Sequence, residues 1–147
     1  MENRFNLDKY VGRWYEIARS PAPYQKYCGG AIAEYKKIDD STIKITNYCL
    51  KAGAVEYSSV GMAYATDEDS VFLAKFNDNE SSYIVLYTDY VKYSLVTTDS
   101  GTVWILSRTP YVNLEDLRGL IDILSEMGIS VSNITTSNSD YRKNHKK

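Results

Sequence analysis

Histidine and cysteine, two of the side chains that most often perform acid–base or nucleophilic chemistry, are scarce in this chain. Its only histidine, His145, stands in a basic, polar tail near the C-terminus. No third group is there to orient it, which argues against a Ser-His-Asp triad, a Cys-His pair and a zinc site built from several histidines. The sequence therefore predicts neither the usual hydrolase chemistry nor a bound metal or cofactor.

The two cysteines, Cys28 and Cys49, are the other reactive candidates. With a two-residue turn at Asp39-Asp40, Cys28 falls opposite Lys51, two residues from Cys49. A bulge at Gly29-Gly30 would shorten that offset and bring a bridge within geometric reach. The sequence thus allows a Cys28–Cys49 disulfide, and two unpaired thiols in a reducing compartment are the alternative.

Composition and charge describe an ordinary globular chain. Its 147 residues suit one domain, and 44% hydrophobic with 24% charged residues argues against disorder. A formal net charge of -2 provides no bulk positive field to gather nucleic acid. There are 14 Tyr but only three Phe and two Trp, so much of the large apolar surface carries a hydroxyl. Such surface suits a site with one polar end.

Nothing in the sequence signals membrane insertion or targeting. No stretch approaches the roughly 18 apolar residues of a transmembrane segment. The N-terminus lacks the apolar core of a secretory signal, and no lipidation motif is present. A protein made without export and one whose leader was removed are both compatible with this sequence. Localisation, oligomeric state and peripheral membrane contact stay open.

Between Gly12 and Thr109, short alternating or β-branched runs are broken by turn residues at hairpin spacing. They predict eight strands: Trp14–Arg19, Ala33–Lys36, Ile43–Asn47, Val60–Thr66, Val71–Phe76, Tyr83–Thr88, Tyr93–Thr98 and Thr102–Thr109. Such short connections make neighbouring strands antiparallel, and closing the sheet into an up-and-down barrel hides its edges. An eight-stranded barrel can enclose one small ligand. A two-sheet sandwich is the alternative, but no long Greek-key crossover is present.

After Pro110 the pattern changes to helical spacing. The apolar residues that recur at this spacing are Leu114, Leu117, Leu120, Ile121 and Leu124. Asn113 is the expected N-cap and Gly128 the expected end, so one helix should pack outside the barrel. Ile129–Thr135 predicts a short ninth strand. The sequence therefore predicts an all-β barrel with one helix in a single domain, 1–147, whose ordered core is about 5–136 and whose tail, 137–147, is flexible.

Three separated motifs carry a resemblance to one family. They are Phe5-Asn6-Leu7-Asp8-Lys9-Tyr10-Val11-Gly12-Arg13-Trp14-Tyr15-Glu16-Ile17-Ala18-Arg19, Thr88-Asp89-Tyr90-Val91-Lys92-Tyr93 and Trp104-Ile105-Leu106-Ser107-Arg108-Thr109-Pro110. In this order, within a barrel-like pattern and before one helix, they resemble the lipocalins, specifically the branch with bacterial lipocalin and apolipoprotein D. The resemblance covers nearly the whole chain. Family members are mostly secreted or periplasmic.

The motif residues are expected to close the barrel rather than to bind a ligand. Gly12 permits a close backbone approach where the N-terminal segment crosses the barrel floor. Trp14 plugs that floor, and Arg108 can lie over the indole while its N–H groups bond carbonyls of the crossing segment. The remaining motif residues form a tight turn, in which Asp bonds its own backbone: Thr88, Asp89 and Tyr90.

The resemblance implies non-covalent binding and carriage of a small lipophilic ligand, most specifically a fatty acid or lysophospholipid. Alternation and the match to the family place these residues on the cavity wall: Ala33, Tyr35, Ile45, Asn47, Gly61, Ala63, Ala65, Phe72, Ala74, Phe76, Val85 and Tyr87. No Lys or Arg is among them, so no deep salt bridge to a carboxylate is predicted. Tyr35, Tyr87 and Asn47 would bond a head group near the mouth.

Two other function classes remain as alternatives. A few lipocalin-like proteins are enzymes, and the prostaglandin-isomerising branch uses an inward cysteine on its second strand. Ala33 and Tyr35 stand at about that place here, and Cys28 has only Lys26 nearby to activate a thiol, so no enzyme is predicted. The third class is a surface-acting binding or inhibitor protein, which would use the loop Ser20-Pro21-Ala22-Pro23-Tyr24 at the mouth.

Overall fold

The computed structural model describes residues 4–20, 30–52, 54–77 and 79–136. Within them the chain forms two helices and nine strands. In chain order these are α1 (Leu7–Tyr10), β1 (Gly12–Arg19), β2 (Gly30–Asp39), β3 (Thr42–Lys51), β4 (Ala54–Ala65), β5 (Val71–Phe76), β6 (Asn79–Thr88), β7 (Tyr93–Thr98), β8 (Val103–Ser107), α2 (Leu114–Glu126) and β9 (Thr135–Thr136). No helix in these ranges is long and apolar enough to cross a membrane.

Strands β1 to β8 close into one antiparallel barrel. Each strand pairs with the next along the chain, and β8 pairs with β1. The first and last strands are therefore joined, and the unpaired edges of an open sheet are removed. This confirms the predicted eight-stranded up-and-down barrel, and the sandwich alternative is wrong.

Some strands are longer than predicted. Strands β5 and β7 have the predicted bounds, whereas β4 begins at Ala54 rather than at Val60. The added residues include Ser58 and Ser59, which lack an apolar alternation but still pair with β3. Backbone hydrogen bonding extends this strand beyond its side-chain pattern.

The predicted register between β2 and β3 is wrong by one residue. Ala31 lies opposite Cys49, because the turn falls at Asp40-Ser41 rather than at Asp39-Asp40, so that Asp39 pairs with Thr42. An irregularity between Lys37 and Asp39 then inserts one extra residue into β2 and takes back one residue of that two-residue displacement. The expected bulge was placed at the other end of the strand, at Gly29-Gly30. Cys28 lies outside the described residues, so the Cys28–Cys49 disulfide stays a prediction. Cys49 is not a free thiol.

Helix α2 packs against the outside of the barrel, as the sequence predicts. Asn113 caps it, since its side chain accepts a hydrogen bond from the Asp116 N–H at 2.7 Å. Leu120 and Leu124 are buried in an outer cluster formed with residues such as Ile17 and Leu95. The first residue of the predicted apolar stripe, Leu114, is instead 75% exposed.

The predicted ninth strand is much shorter than expected. Of the described residues that follow α2, only Thr135 and Thr136 pair with β1. Ile129, Val131 and Ile134, whose alternation predicted the strand, pack against the outer cluster without forming one. An alternating apolar pattern can be satisfied by side-chain burial alone, without a backbone ladder.

Candidate ligand-binding cavity

The closed end of the barrel is plugged by Trp14 and Arg108. The indole of Trp14 is fully buried, and its Nε1 donates to the Tyr10 carbonyl at 2.9 Å. The guanidinium carbon of Arg108 lies 3.8 Å from the indole ring centroid, which is a cation–π geometry. The contact predicted between these two motif residues is therefore present.

Arg108 also ties the segments of the closed end together. Its guanidinium donates to four backbone carbonyls at 3.0–3.1 Å: those of Lys9, Tyr10, Arg13 and Tyr90. The first two belong to α1, whose last carbonyls lack partners within the helix. Gly12 has φ +115°, and a Cβ there would lie 3.2 Å from Nη1 of Arg108. This position therefore needs glycine for both its conformation and its space.

The turn between β6 and β7 completes the closed end. The Asp89 carboxylate accepts hydrogen bonds from the N–H groups of Val91, Lys92 and Tyr93 at 2.8–3.2 Å. Thr88 donates its hydroxyl to the Tyr93 carbonyl at 2.8 Å. Tyr90 adopts φ 66°, and its hydroxyl accepts from the Asn6 N–H at 2.9 Å. The predicted turn thus also holds the N-terminal segment across the barrel.

A cavity of about 970 Å³ opens on the other side of this packed end. Its wall includes these residues predicted from the sequence: Ala33, Tyr35, Ile45, Asn47, Ala74 and Phe76. The prediction missed further lining residues on other strands, among them Glu16, Tyr57, Ser59, Tyr83, Thr98 and Trp104. Strands β1, β7 and β8 contributed nothing to the predicted set, although their inward positions are given by the same alternation.

The inward side chains at the closed end form a second buried cluster around Tyr10 and Trp14, which we call the inner cluster. Three predicted residues lie in this cluster and do not line the cavity. Ala63, Phe72 and Val85 are buried with Tyr10 around a void of about 10 Å³, the limit for a single water molecule. Gly61 does not line the cavity either. A Cβ there would approach the Phe76 ring to 2.7 Å, so its role is to make room for that ring.

Two further predicted positions do not line the cavity. Ala65, the last residue of β4, is still paired with Phe72 of β5 but is exposed at the end of the strand. Tyr87 packs in the outer cluster. An irregularity between Val85 and Tyr87 inserts an extra residue into β6, which reverses the facing of the side chains that follow. Tyr87 therefore cannot bond a head group at the mouth.

A hydrogen-bonded pair of tyrosines crosses the barrel where the cavity meets its floor. The hydroxyls of Tyr35 on β2 and Tyr83 on β6 bond each other, although these strands are not neighbours in the sheet. Both residues border the large cavity and the small void. We call this pair the tyrosine bridge. Burial raises the pKa of Tyr35 to about 12 and that of Tyr83 well above its usual range, so both phenols are neutral at physiological pH.

The charged groups of the cavity are acidic. Glu16 lines it and is 6% exposed, and its carboxylate pairs with Nε of Arg19 at 3.2 Å. Near the rim, Asp99 accepts from the Ser82 N–H at 2.9 Å and Glu80 pairs with Lys75. Among the described lining residues none is Lys, Arg or His. The described part of the chain also contains no cluster of His, Cys, Asp and Glu side chains that could hold a metal.

Comparison with known proteins places this barrel in a family. A family model described as a lipocalin-like domain matches residues 5–139. The chain is 31% identical to mouse apolipoprotein D, over 93% of this chain and 78% of the relative. It is 29% identical to the outer membrane lipoprotein Blc of Vibrio cholerae, over 84% of this chain and 74% of the relative. The protein belongs to the lipocalin family, which confirms the resemblance seen in its motifs.

Solved structures agree on the fold. Lobster apocrustacyanin A1 superposes with a TM-score of 0.75 at 17% identity, covering 90% of this chain and 78% of that one. Insecticyanin from the tobacco hornworm Manduca sexta superposes with a TM-score of 0.73 at 22% identity, covering 91% and 80%. At these identities the likeness shows a shared lipocalin barrel and carries no information about the ligand.

Proposed function

We propose that this lipocalin binds and carries a small lipophilic ligand non-covalently inside its barrel. The observation that carries the proposal is the cavity of about 970 Å³ above a packed floor. Its size lies at the upper end of the range for small-molecule sites. Its wall combines apolar side chains such as Ile45, Ala74 and Phe76 with a few hydroxyl and amide groups, the mixture expected for a lipophile with a polar end.

Within this class, a single-chain lipid such as a fatty acid or lysophospholipid is the finer proposal. Each buried methylene is worth about 0.8 kcal/mol, so a dozen would contribute about 10 kcal/mol before ordering and association costs. Affinity near micromolar, about -8 kcal/mol, is the expected remainder. The apolar character of the wall supports a binding energy that comes mainly from the chain.

The side chains described on the cavity wall fit non-covalent binding of a ligand better than they fit catalysis. The wall's buried carboxylate, Glu16, is paired with Arg19, and burial raises the pKa of the Tyr35 and Tyr83 phenols. Neither arrangement prepares a nucleophile or a strong base. The loop expected to serve a surface-acting protein, Ser20–Tyr24, lies outside the described residues apart from Ser20, and that alternative rests on the sequence alone.

Native mass spectrometry of the purified protein, followed by solvent extraction, tests the proposal. A lipid that co-purifies in one-to-one ratio is the expected result. Displacement of a fluorescent fatty acid by a chain-length series then measures the apolar contribution, and affinity should rise with chain length and change little with salt. Equal affinity for short and long chains, or steep loss of binding in moderate salt, would contradict carriage in the cavity and favour a surface-acting protein.

A further inference from the structure

The tyrosine bridge puts polar atoms at the deepest point that a ligand in the cavity can reach. Tyr35 and Tyr83 line both the cavity and the small void beneath it, so their hydroxyls lie between the two. A chain that enters from the mouth and fills the cavity ends against this pair. If that end is a methyl group, it meets two phenol oxygens and gains no hydrogen bond from them.

The bridge retains hydrogen-bonding capacity for a ligand. The bond between the two hydroxyls uses one proton and one lone pair, so one proton and several lone pairs remain. Tyr10 stacks on Tyr35 with ring centroids 5.4 Å apart and borders the small void, and its hydroxyl bonds Oγ of Ser94 at 2.8 Å. Its hydroxyl also interacts with both phenols of the bridge and competes for the remaining proton, but the lone pairs of these hydroxyls outnumber their protons. The bridge can therefore accept a hydrogen bond from a group that arrives from the cavity.

The surrounding charges select against an anion at this depth. The buried carboxylate of the wall, Glu16, is already paired with Arg19, and no lining residue among those described is a cation that could pair with a second carboxylate. The guanidinium of Arg108 lies at the closed end, engaged with the Trp14 ring and four carbonyls. A carboxylate at the bridge would be desolvated without a cation in contact, which is costly. A hydroxyl group carries no such penalty.

We propose that the tyrosine bridge is a subsite for a neutral oxygen at the deep end of the ligand. The preferred ligand is then a lipid whose chain carries a hydroxyl at the end remote from its head group, with any charged head at the mouth. This inference rests on the proposed carriage of a lipophile in the cavity, and it narrows the class of lipid.

Palmitic acid and its ω-hydroxy derivative provide the matched ligands that test this subsite. In an apolar pocket the added hydroxyl would weaken binding, because the group is buried without a partner. In the wild-type protein we expect the ω-hydroxy derivative to bind at least as tightly as palmitic acid. The double variant Tyr35→Phe/Tyr83→Phe removes both hydroxyls and keeps both rings. It should lower the affinity for the ω-hydroxy derivative about tenfold relative to the affinity for palmitic acid, compared with the wild type.

Tyr87→Phe is the matched control, since it makes the same chemical change on β6 at a position in the outer cluster. It should leave both affinities as in the wild type. A wild-type protein that binds palmitic acid but rejects the ω-hydroxy derivative overturns the subsite and leaves carriage standing. So does a double variant that loses affinity for both ligands equally, because the bridge would then only shape the cavity. If the wild type binds neither lipid, the proposed carriage of a single-chain lipid fails as well.

Discussion

At the closed end of the barrel, Trp14, Tyr10 and Phe72 fill the space between the strands, whereas near the middle Ala33 and Ala74 leave it open. The same eight strands build both regions, so backbone architecture does not distinguish them. Inward side-chain volume does, together with the hydrogen bonds of Arg108 that bind the closed end to the N-terminal segment. We therefore expect substitutions at the closed end to lower mainly the stability of the fold, and substitutions in the cavity wall to change mainly the affinity for a ligand.

The largest effect is expected from Trp14→Ala, which removes the plug of the closed end. The loss of a fully buried indole and of its contact with Arg108 should lower the free energy of unfolding by about 3–5 kcal/mol. Trp104→Ala is the comparison, because Trp104 lines the cavity and is only partly buried. It should cost less stability and alter ligand affinity more. Denaturant unfolding and ligand displacement measure the two quantities, and equal losses of stability would break the distinction between the regions.

Arg108→Lys should lower the free energy of unfolding by about 2 kcal/mol, because it keeps the charge but loses the planar fork that reaches several carbonyls. Arg13→Lys is the control. Arg13 is bonded to Glu34 on the exposed surface, where an ion pair contributes little, so its effect should stay below about 1 kcal/mol. Similar losses for the two variants, measured by denaturant unfolding, would show that the carbonyl contacts are not stabilising.

Ala74→Phe and Ala63→Phe place the same bulk on either side of the boundary between cavity and floor. Ala74 is paired with Ala63 and equally buried, but it also lines the cavity, where an added ring has room. Its variant should therefore lose less stability than Ala63→Phe and should bind the longest chains about tenfold more weakly than shorter ones. Ala63 is buried in the inner cluster beside a void of about 10 Å³, so its variant should lose about 1–3 kcal/mol of stability through overpacking. A ligand chain-length series and denaturant unfolding distinguish the two outcomes. A larger loss of stability in Ala74→Phe and a larger change in chain-length preference in Ala63→Phe would show that the floor of the cavity lies elsewhere.

The smallest effect concerns pH and the tyrosine bridge. Burial raises the pKa of Tyr35 to about 12 and also raises that of Tyr83, whereas an unfolded tyrosine ionises near pH 10. The unfolded state therefore releases its protons first, and the stability that these phenols contribute is fully present below about pH 10 and declines as pH rises toward 12. The free energy of unfolding of Tyr35→Phe/Tyr83→Phe should therefore fall less steeply with rising pH than that of Tyr87→Phe. Denaturant unfolding between pH 9 and 11 measures this difference. The same dependence of unfolding free energy on pH in the two variants would contradict this linkage.

Features set by short-range chemistry were predictable from the sequence. The bounds of β5 and β7 follow from alternation between clear turn residues, and the Asn113 cap needs only the residue three positions on. The family motifs identified the plug formed by Trp14 and Arg108, because both residue types and their order along the chain are recognisable. Local pattern and motif together were enough for the barrel, its outer helix and its closed end.

The composition of the cavity wall depended on long-range structure. One inserted residue in β6 moved Tyr87 from the predicted wall to the outer cluster, and a bulge in β1 follows directly after Glu16. Residue identity did not mark either site, and a shift of one residue reverses the facing of a strand. The tyrosine bridge joins residues 48 positions apart on strands that do not pair. Only closure of the barrel brings their hydroxyls together, since the contact runs across the interior and not along any strand or hairpin.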